Sequence, residues 1–293
     1  MKLKFTFTAF TLFLTTMLCA QESEVKEKDN RPVRAQFESG YLIDNQTVVV
    51  KQPATLEFVI QHRFGNMNSE GFDMLGLYAP SNIRMGLNYT VREDILIGIG
   101  STKNNKLQDI NAKWNFLKQT RSNSMPVSAA IFAEAAYDAR SDIFEETTQR
   151  LSYFTQLIIA RSFGRKVSVQ VAPSYSHFNI VDSLVEHSNI GVSFNGRYKF
   201  SAQSSVIYGL DYNITDPSNN FEEPNPNSFL GKPNVSLGLE VSTSSHAFQV
   251  FVTTYNAIIN QHNMLYNTND FTEKDLLIGF NITRLWNFQK SKE

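Results

Sequence analysis

Residues 82–102 read NIRMGLNYTVREDILIGIGST, and the way this stretch alternates decides the fold. Ile83, Met85, Leu87, Tyr89 and Val91 hold the odd positions; Arg84, Gly86, Asn88 and Thr90 hold the even ones. Successive strand side chains point to opposite faces, so this is a strand with one apolar and one polar face. Arg92, Glu93 and Asp94 make a tight turn, and a second β-prone run follows over 95–102, which completes a hairpin. The same alternation returns in 188–199 (Ile190, Val192, Phe194 and Tyr198 against Gly191, Ser193, Asn195, Arg197 and Lys199). It returns again in 233–242, where Val235, Leu237, Leu239 and Val241 oppose Asn234, Ser236, Gly238, Glu240 and Ser242.

Working outward gives twelve such runs: 54–64, 82–91, 95–102, 107–117, 126–138, 151–163, 166–178, 188–199, 204–213, 233–242, 246–255 and 275–288. Each is close to the roughly 9–11 residues that a tilted strand needs to cross a bilayer. An even count suits a single-chain barrel. The connections alternate in length. Turns at 92–94, 164–165, 200–203 and 243–245 are short, whereas 65–81, 139–150, 179–187, 214–232 and 256–274 are long. Short periplasmic turns and longer extracellular loops are the outer-membrane arrangement. Two connections depart from it: 103–106 is short for an outer loop, and 118–125 is long for a periplasmic turn. The expected fold is all-β, a transmembrane antiparallel β-barrel of about twelve strands.

Two features separate a membrane barrel from a soluble one. On the apolar faces, Phe64, Tyr137, Tyr153, Tyr175 and Tyr212 gather at the long-loop end. Tyr89, Phe116, Phe163, Tyr198, Trp286 and Phe288 gather at the short-turn end, and two such belts match the two membrane interfaces. The polar faces carry Glu57, Arg63, Arg84, Asp109, Lys113, Glu134, Asp138, Lys166, Arg197, Lys199, Asp211 and Glu240, six acids and six bases. A basic group costs about 2–4 kcal/mol on the lipid side at mid-membrane, so these twelve are lumen-lining candidates.

The ends fit export. Residues 1–20 run from Lys2 and Lys4 through an apolar core to Ala20, the order of a signal peptide. Cys19 raises the rival of a lipid anchor, but Leu18 precedes it where a small residue is usual. Loss of this segment leaves a chain without cysteine, and so without disulfides or thiol chemistry. Residues 21–53 are expected to be a periplasmic leader followed by a segment (37–53) that reads equally as a pre-strand, a lid or a small plug; the barrel is 54–293. With 27 basic and 28 acidic residues and no basic block, no nucleic-acid partner is expected.

Leu56 to Gly65 (LEFVIQHRFG), Leu77 to Leu87 (LYAPSNIRMGL) and the last strand, Leu276 to Phe288 (LLIGFNITRLWNF), together resemble a Bacteroidota outer-membrane β-barrel family known only as a domain of unknown function. The resemblance implies an outer-membrane barrel and supplies no activity. The last strand also looks like a carboxy-terminal insertion signal, although Gln289 to Glu293 trail beyond its final aromatic.

Catalytic and metal constellations are weak. Serines adjoin His177, His187 and His246, but neighbouring strand residues face opposite ways, so Ser176 and His177 cannot pair. Asp182, Glu186 and His187 share one loop without regular ligand spacing, and neither metal nor cofactor is expected. The chain is expected to be a non-enzymatic outer-membrane barrel, a passive channel or binding protein for small solutes. The alternatives are a closed barrel with a structural or surface role and a rim lipid hydrolase. Outer-membrane lipid, the barrel-assembly machinery during insertion and a small solute are the expected partners.

Overall fold

Alternation of polar and apolar residues sets up strands, and their mutual pairing closes them into a cylinder. The computed structural model describes residues 28–68, 73–141, 143–183, 185–215 and 231–289. The expected signal peptide at 1–20 and the start of the expected leader lie outside the described residues, as does most of the 214–232 loop. Twelve antiparallel strands form a closed barrel: β3 (Thr55–Asn66), β4 (Asn82–Arg92), β5 (Ile95–Thr102), β6 (Leu107–Leu117), β7 (Ser128–Asp138), β8 (Leu151–Phe163), β9 (Val167–Phe178), β10 (Ser188–Lys199), β11 (Ser204–Asn213), β12 (Asn234–Ser242), β13 (His246–Thr253) and β14 (Leu277–Asn287). Each pairs with its sequence neighbour, and β14 closes on β3 with Ile282 opposite Ile60 and Trp286 opposite Leu56. Closure leaves no strand edge unpaired, as the hydrocarbon layer requires.

The inside and outside are inverted relative to a soluble barrel. In β6, Asp109, Asn111, Lys113 and Asn115 are buried while Ile110, Trp114 and Phe116 are exposed. Outward residues around the wall, among them Ile99, Ile110, Leu237 and Val250, are more than half exposed. An apolar band running right round the cylinder far exceeds the few hundred Å² that a soluble monomer exposes, as the wall of a membrane barrel does.

Among the described residues, two segments fill the interior. Residues 37–49, all but Glu38 buried, contain a hairpin of β1 (Tyr41–Leu42) and β2 (Asn45–Gln46) that forms its own two-stranded sheet, separate from the wall. The segment thus lies inside the barrel without joining its wall. At its tip Ile43 takes a φ of 56°, a conformation that a β-branched side chain rarely adopts. Its carbonyl is gripped by Asn281 Nδ2 at 2.7 Å and Arg63 NH2 at 3.3 Å, which hold the turn in place. The leader reaches the lumen along the 118–125 turn: Val33 N–H donates to Gln119 O, Arg121 N–H to Arg31 O and Ser122 N–H to Asp29 O. The extra length of that turn, irregular in sequence, gives residues 29–33 a backbone to pair with.

The second segment is the β13–β14 loop, whose helix α1 (Asn260–Tyr266) buries Met264 and Leu265 in the outer mouth. It rests mainly on β8, β10 and β11. Gln261 Nε2 donates to Ser152 Oγ at 3.2 Å and Asn213 Nδ2 to Met264 O at 3.3 Å. Gly191 of β10 makes room for it, since a Cβ there would lie 2.9 Å from Met264 Sδ.

Burial pushes the His262 imidazole of α1 down to about 4, with Asp138 opposing and Arg140 reinforcing the shift more weakly. A folded value below the unfolded one means the docked helix is fully stabilised above about pH 6.5 and loses that stabilisation as pH falls toward 4. The residue is half-buried rather than fully buried. The expected loss is therefore about 1–2 kcal/mol rather than the full shift at about 1.4 kcal/mol per pH unit. Hydrogen exchange of 258–266 is expected to quicken between pH 7 and pH 5 in the wild type, beyond the intrinsic pH trend. In His262→Phe it is expected to show no such excess.

Candidate functional site

The lumen wall supplies polar groups at alternate positions, and the hairpin supplies their partners. Arg63, 0% exposed, donates to Asp44 Oδ1 at 2.8 Å and to Asn281 Oδ1 at 3.0 Å, with its guanidinium 4.5 Å from the Phe251 ring centre. Asp44 Oδ2 also accepts from Thr253 Oγ1 at 2.8 Å and Asn234 Nδ2 at 3.3 Å. Every oxygen of that carboxylate is thus satisfied by wall residues. Asp211 accepts from Asn45 Nδ2 and Asn234 Nδ2, both at 2.7 Å. Lys113 Nζ donates to Gln46 Oε1 and Thr47 O, each at 3.0 Å. Gln249 closes on the backbone of the hairpin, donating to Tyr41 O at 2.9 Å and accepting from Ile43 N–H at 3.1 Å.

The other wall charges are divided between partners in the wall and partners at the edges of the plug segment. Arg84 and Asp109 form a buried pair at 2.6 Å across β5, and Arg84 also donates to the Tyr41 hydroxyl at 3.3 Å. Gly100 is what lets them meet, because a Cβ there would lie 2.3 Å from Arg84 NH2. Glu57 accepts from Asn88 at 3.0 Å and Glu240 from Gln249 at 2.8 Å. Glu134 is buried and contributes a carboxylate oxygen without a hydrogen-bond partner among the described residues. Asp138 pairs with Arg140 at the outer rim. Arg197 and Lys199, near the periplasmic mouth, both reach Glu38 Oε1, at 2.9 and 2.7 Å. Lys166 needs correction as a lumen-wall residue: it sits exposed in the β8–β9 turn, where the chain reverses before the strand alternation begins. The wall charges therefore serve less as a network among themselves than as a seat for the hairpin.

An apolar half of this seat was not read from the sequence. Phe132, Phe154, Ile158, Ile207 and Phe251 point inward and meet Phe37, Leu42, Ile43, Val48 and Val49 of the plug. Their positions share the parity of the polar face, so the signal was there as apolar residues on the wrong side of the alternation. Burial of one such side chain is worth about 1.5–3 kcal/mol, which makes the cluster the main apolar support of the docked state.

The belt aromatics lie on outward faces. Tyr89, Phe116, Tyr153, Phe163, Tyr175, Tyr198, Tyr212, Trp286 and Phe288 are exposed, and Phe64 and Tyr137 are half-buried. Trp114, one outward position from Phe116, joins the short-turn belt with its ring centre 5.4 Å from that of Phe116, and its Nε1 donates to Asp94. At the outer rim, the β9–β10 register sets His177 opposite Ser188, and His177 Nδ1 lies 2.9 Å from Ser188 Oγ. That cross-strand pairing escaped a reading confined to sequence neighbours. The Tyr175 hydroxyl shares the same Ser188 oxygen at 2.9 Å. Among the described residues no group of three or more His, Cys, Asp or Glu is placed to hold a metal ion.

A family model described as a membrane bound beta barrel domain (DUF5777) matches residues 37–286. No curated protein matches the chain. Among solved structures, a KdgM porin in complex with disordered oligogalacturonate is 8% identical, with 80% of this chain and 99% of that one covered and a TM-score of 0.46. The outer membrane phospholipase A from Escherichia coli is 12% identical (78% and 92% covered, TM-score 0.42). The Acinetobacter baumannii outer membrane protein Omp33 is 8% identical (80% and 98% covered, TM-score 0.40). At such identities, what those proteins bind or cleave is a property of theirs alone.

Proposed function

Given that the chain belongs to the family of membrane bound beta barrel domains (DUF5777), an integral β-barrel of the Gram-negative outer membrane, we propose that it is a small-solute channel held shut at rest by its own N-terminal hairpin. The observation that carries this reading is that β1 and β2 form a sheet apart from the barrel. The hairpin fills the lumen without contributing a strand to the wall, so it can leave without unzipping a single ladder. Ordering it costs about 1–2 kcal/mol per residue, which opposes the burial and hydrogen bonds that dock it. Docking is therefore a difference between large terms, the condition for a reversible gate.

A non-enzymatic role belongs to the same reading. Ser188 shares its oxygen between His177 and Tyr175 on the lipid face, an interfacial hydrogen-bond cluster. Membrane lipid, the assembly machinery and a small solute are its partners on this reading, and a Bacteroidota origin is part of it.

Thr47 is 0% exposed within the docked hairpin. In Thr47→Cys, a membrane-impermeant maleimide added from the periplasmic side is expected to label slowly, at a rate set by how often the hairpin undocks. Complete protection over days in folded protein would sink the gate and leave a permanently closed structural barrel.

A further inference from the structure

The charge balance of the lumen hides a local imbalance. At the periplasmic mouth a cavity of about 1100 Å³ is lined by Arg34, Arg121, Arg165, Lys166, Arg197 and Lys199, with Glu38 as its single carboxylate among the described residues. Arg121 lies 3.6 Å from Asp29, while Arg34, Arg165 and Lys166 have no ion-pair partner among the described residues. The Arg197 side chain is only 5% exposed, and its Nε has no hydrogen-bond partner among the described residues. A buried guanidinium with an unused donor, beside Lys199 and at the wall of a basic cavity, is an incomplete site. Its one acceptor so far is Glu38 Oε1, which takes Arg197 NH1 at 2.9 Å and Lys199 Nζ at 2.7 Å.

We propose that this mouth binds a soluble multivalent oxyanion, a solute bearing two or more phosphate or carboxylate groups, which displaces Glu38 from Arg197 and Lys199. The guanidinium fork of Arg197 suits either oxyanion bidentately. Arg34, Arg165 and Lys166 supply charge for a second anionic group, and the hydroxyls of Ser162, Ser168 and Ser201 also line the cavity. Glu38 belongs to the segment that leads into the plug, so its displacement removes a periplasmic tether of the hairpin. Binding itself stands whether or not the barrel conducts.

Pyrophosphate and citrate, as separate probes, are titrated calorimetrically into the full mature chain in neutral detergent at constant ionic strength, with folding checked by heat-dependent gel mobility. Saturable binding of either probe is expected, and the preferred one identifies the oxyanion. The double variant Arg165→Gln/Lys166→Gln changes only an exposed turn and is expected to weaken binding at least about tenfold, the effect of losing two partly exposed charges. Glu38→Gln removes the competitor and is expected to tighten binding about threefold or more, a shift of some tenths of a kcal/mol in the opposite direction. Absence of saturable binding by both probes would overturn the proposal. So would an affinity that Glu38→Gln leaves unchanged or lowers.

Discussion

Deleting residues 31–50 is expected to turn a barrel whose current steps in planar bilayers are rare on the proposed reading into one that gives them reproducibly. The wall loses nothing by this deletion, because β3 starts at Thr55 and every barrel ladder pairs strands from β3 to β14. What goes is the material that fills the cylinder: Phe37, Tyr41, Leu42, Ile43, Val48 and Val49, together with the acceptors for Arg63 and Lys113. Left behind are charged and amide side chains that water can solvate, alongside Phe132, Phe154 and Phe251, which narrow the passage. Helix α1 rests on β8, β10 and β11 and covers one side of the outer mouth, so a small conductance rather than a wide pore is expected. Protein that is verifiably folded and inserted, lacks 31–50 and still passes no current would show that the hairpin is not the closure.

The second large effect is expected at one ion pair. Asp44→Ala strips Arg63 of its partner while the guanidinium stays 0% exposed under the docked hairpin. Breaking a buried pair by removing one member costs about 3–5 kcal/mol, because the remaining charge is uncompensated. In the undocked state Arg63 faces lumen water, so the cost falls on the docked state and favours opening. A shift of this size raises the undocked fraction about 100-fold or more, read as faster labelling of Thr47→Cys and as more frequent current steps. Arg63→Ala/Asp44→Ala removes both charges and is expected to recover part of the closure, since no buried charge is then orphaned. Equal labelling rates in wild type and Asp44→Ala would show that the pair does not hold the gate.

Much of this architecture was legible in the chain. All twelve strands were placed within two residues of their observed ends, because period-two alternation is a local property that each segment carries by itself. The inward side of Arg84, Asp109 and Asp211 and the outward side of Tyr89, Tyr198 and Trp286 follow from the same parity. The misplacement of Lys166 came from extending parity one residue into a turn, where it no longer applies. The role of residues 37–53 was open for a related reason. Val48, Val49 and Val50 are β-prone anywhere, and nothing local says whether such a run joins a wall, caps it or enters it.

By itself, then, the sequence determined the barrel: its strand count, its two faces, its aromatic belts and the side on which the long loops lie. Only the tertiary structure decided that the lumen is filled, that Asp44 is the partner of Arg63, and that Glu38 ties the start of the plug segment to a basic mouth. The division has a physical cause. A strand in lipid must present apolar groups at every second position whatever its neighbours are, so each segment records its own environment. Whether a cylinder is open depends on contacts between residues such as Asp44 and Thr253, 209 positions apart, whose proximity exists only once all twelve strands have closed.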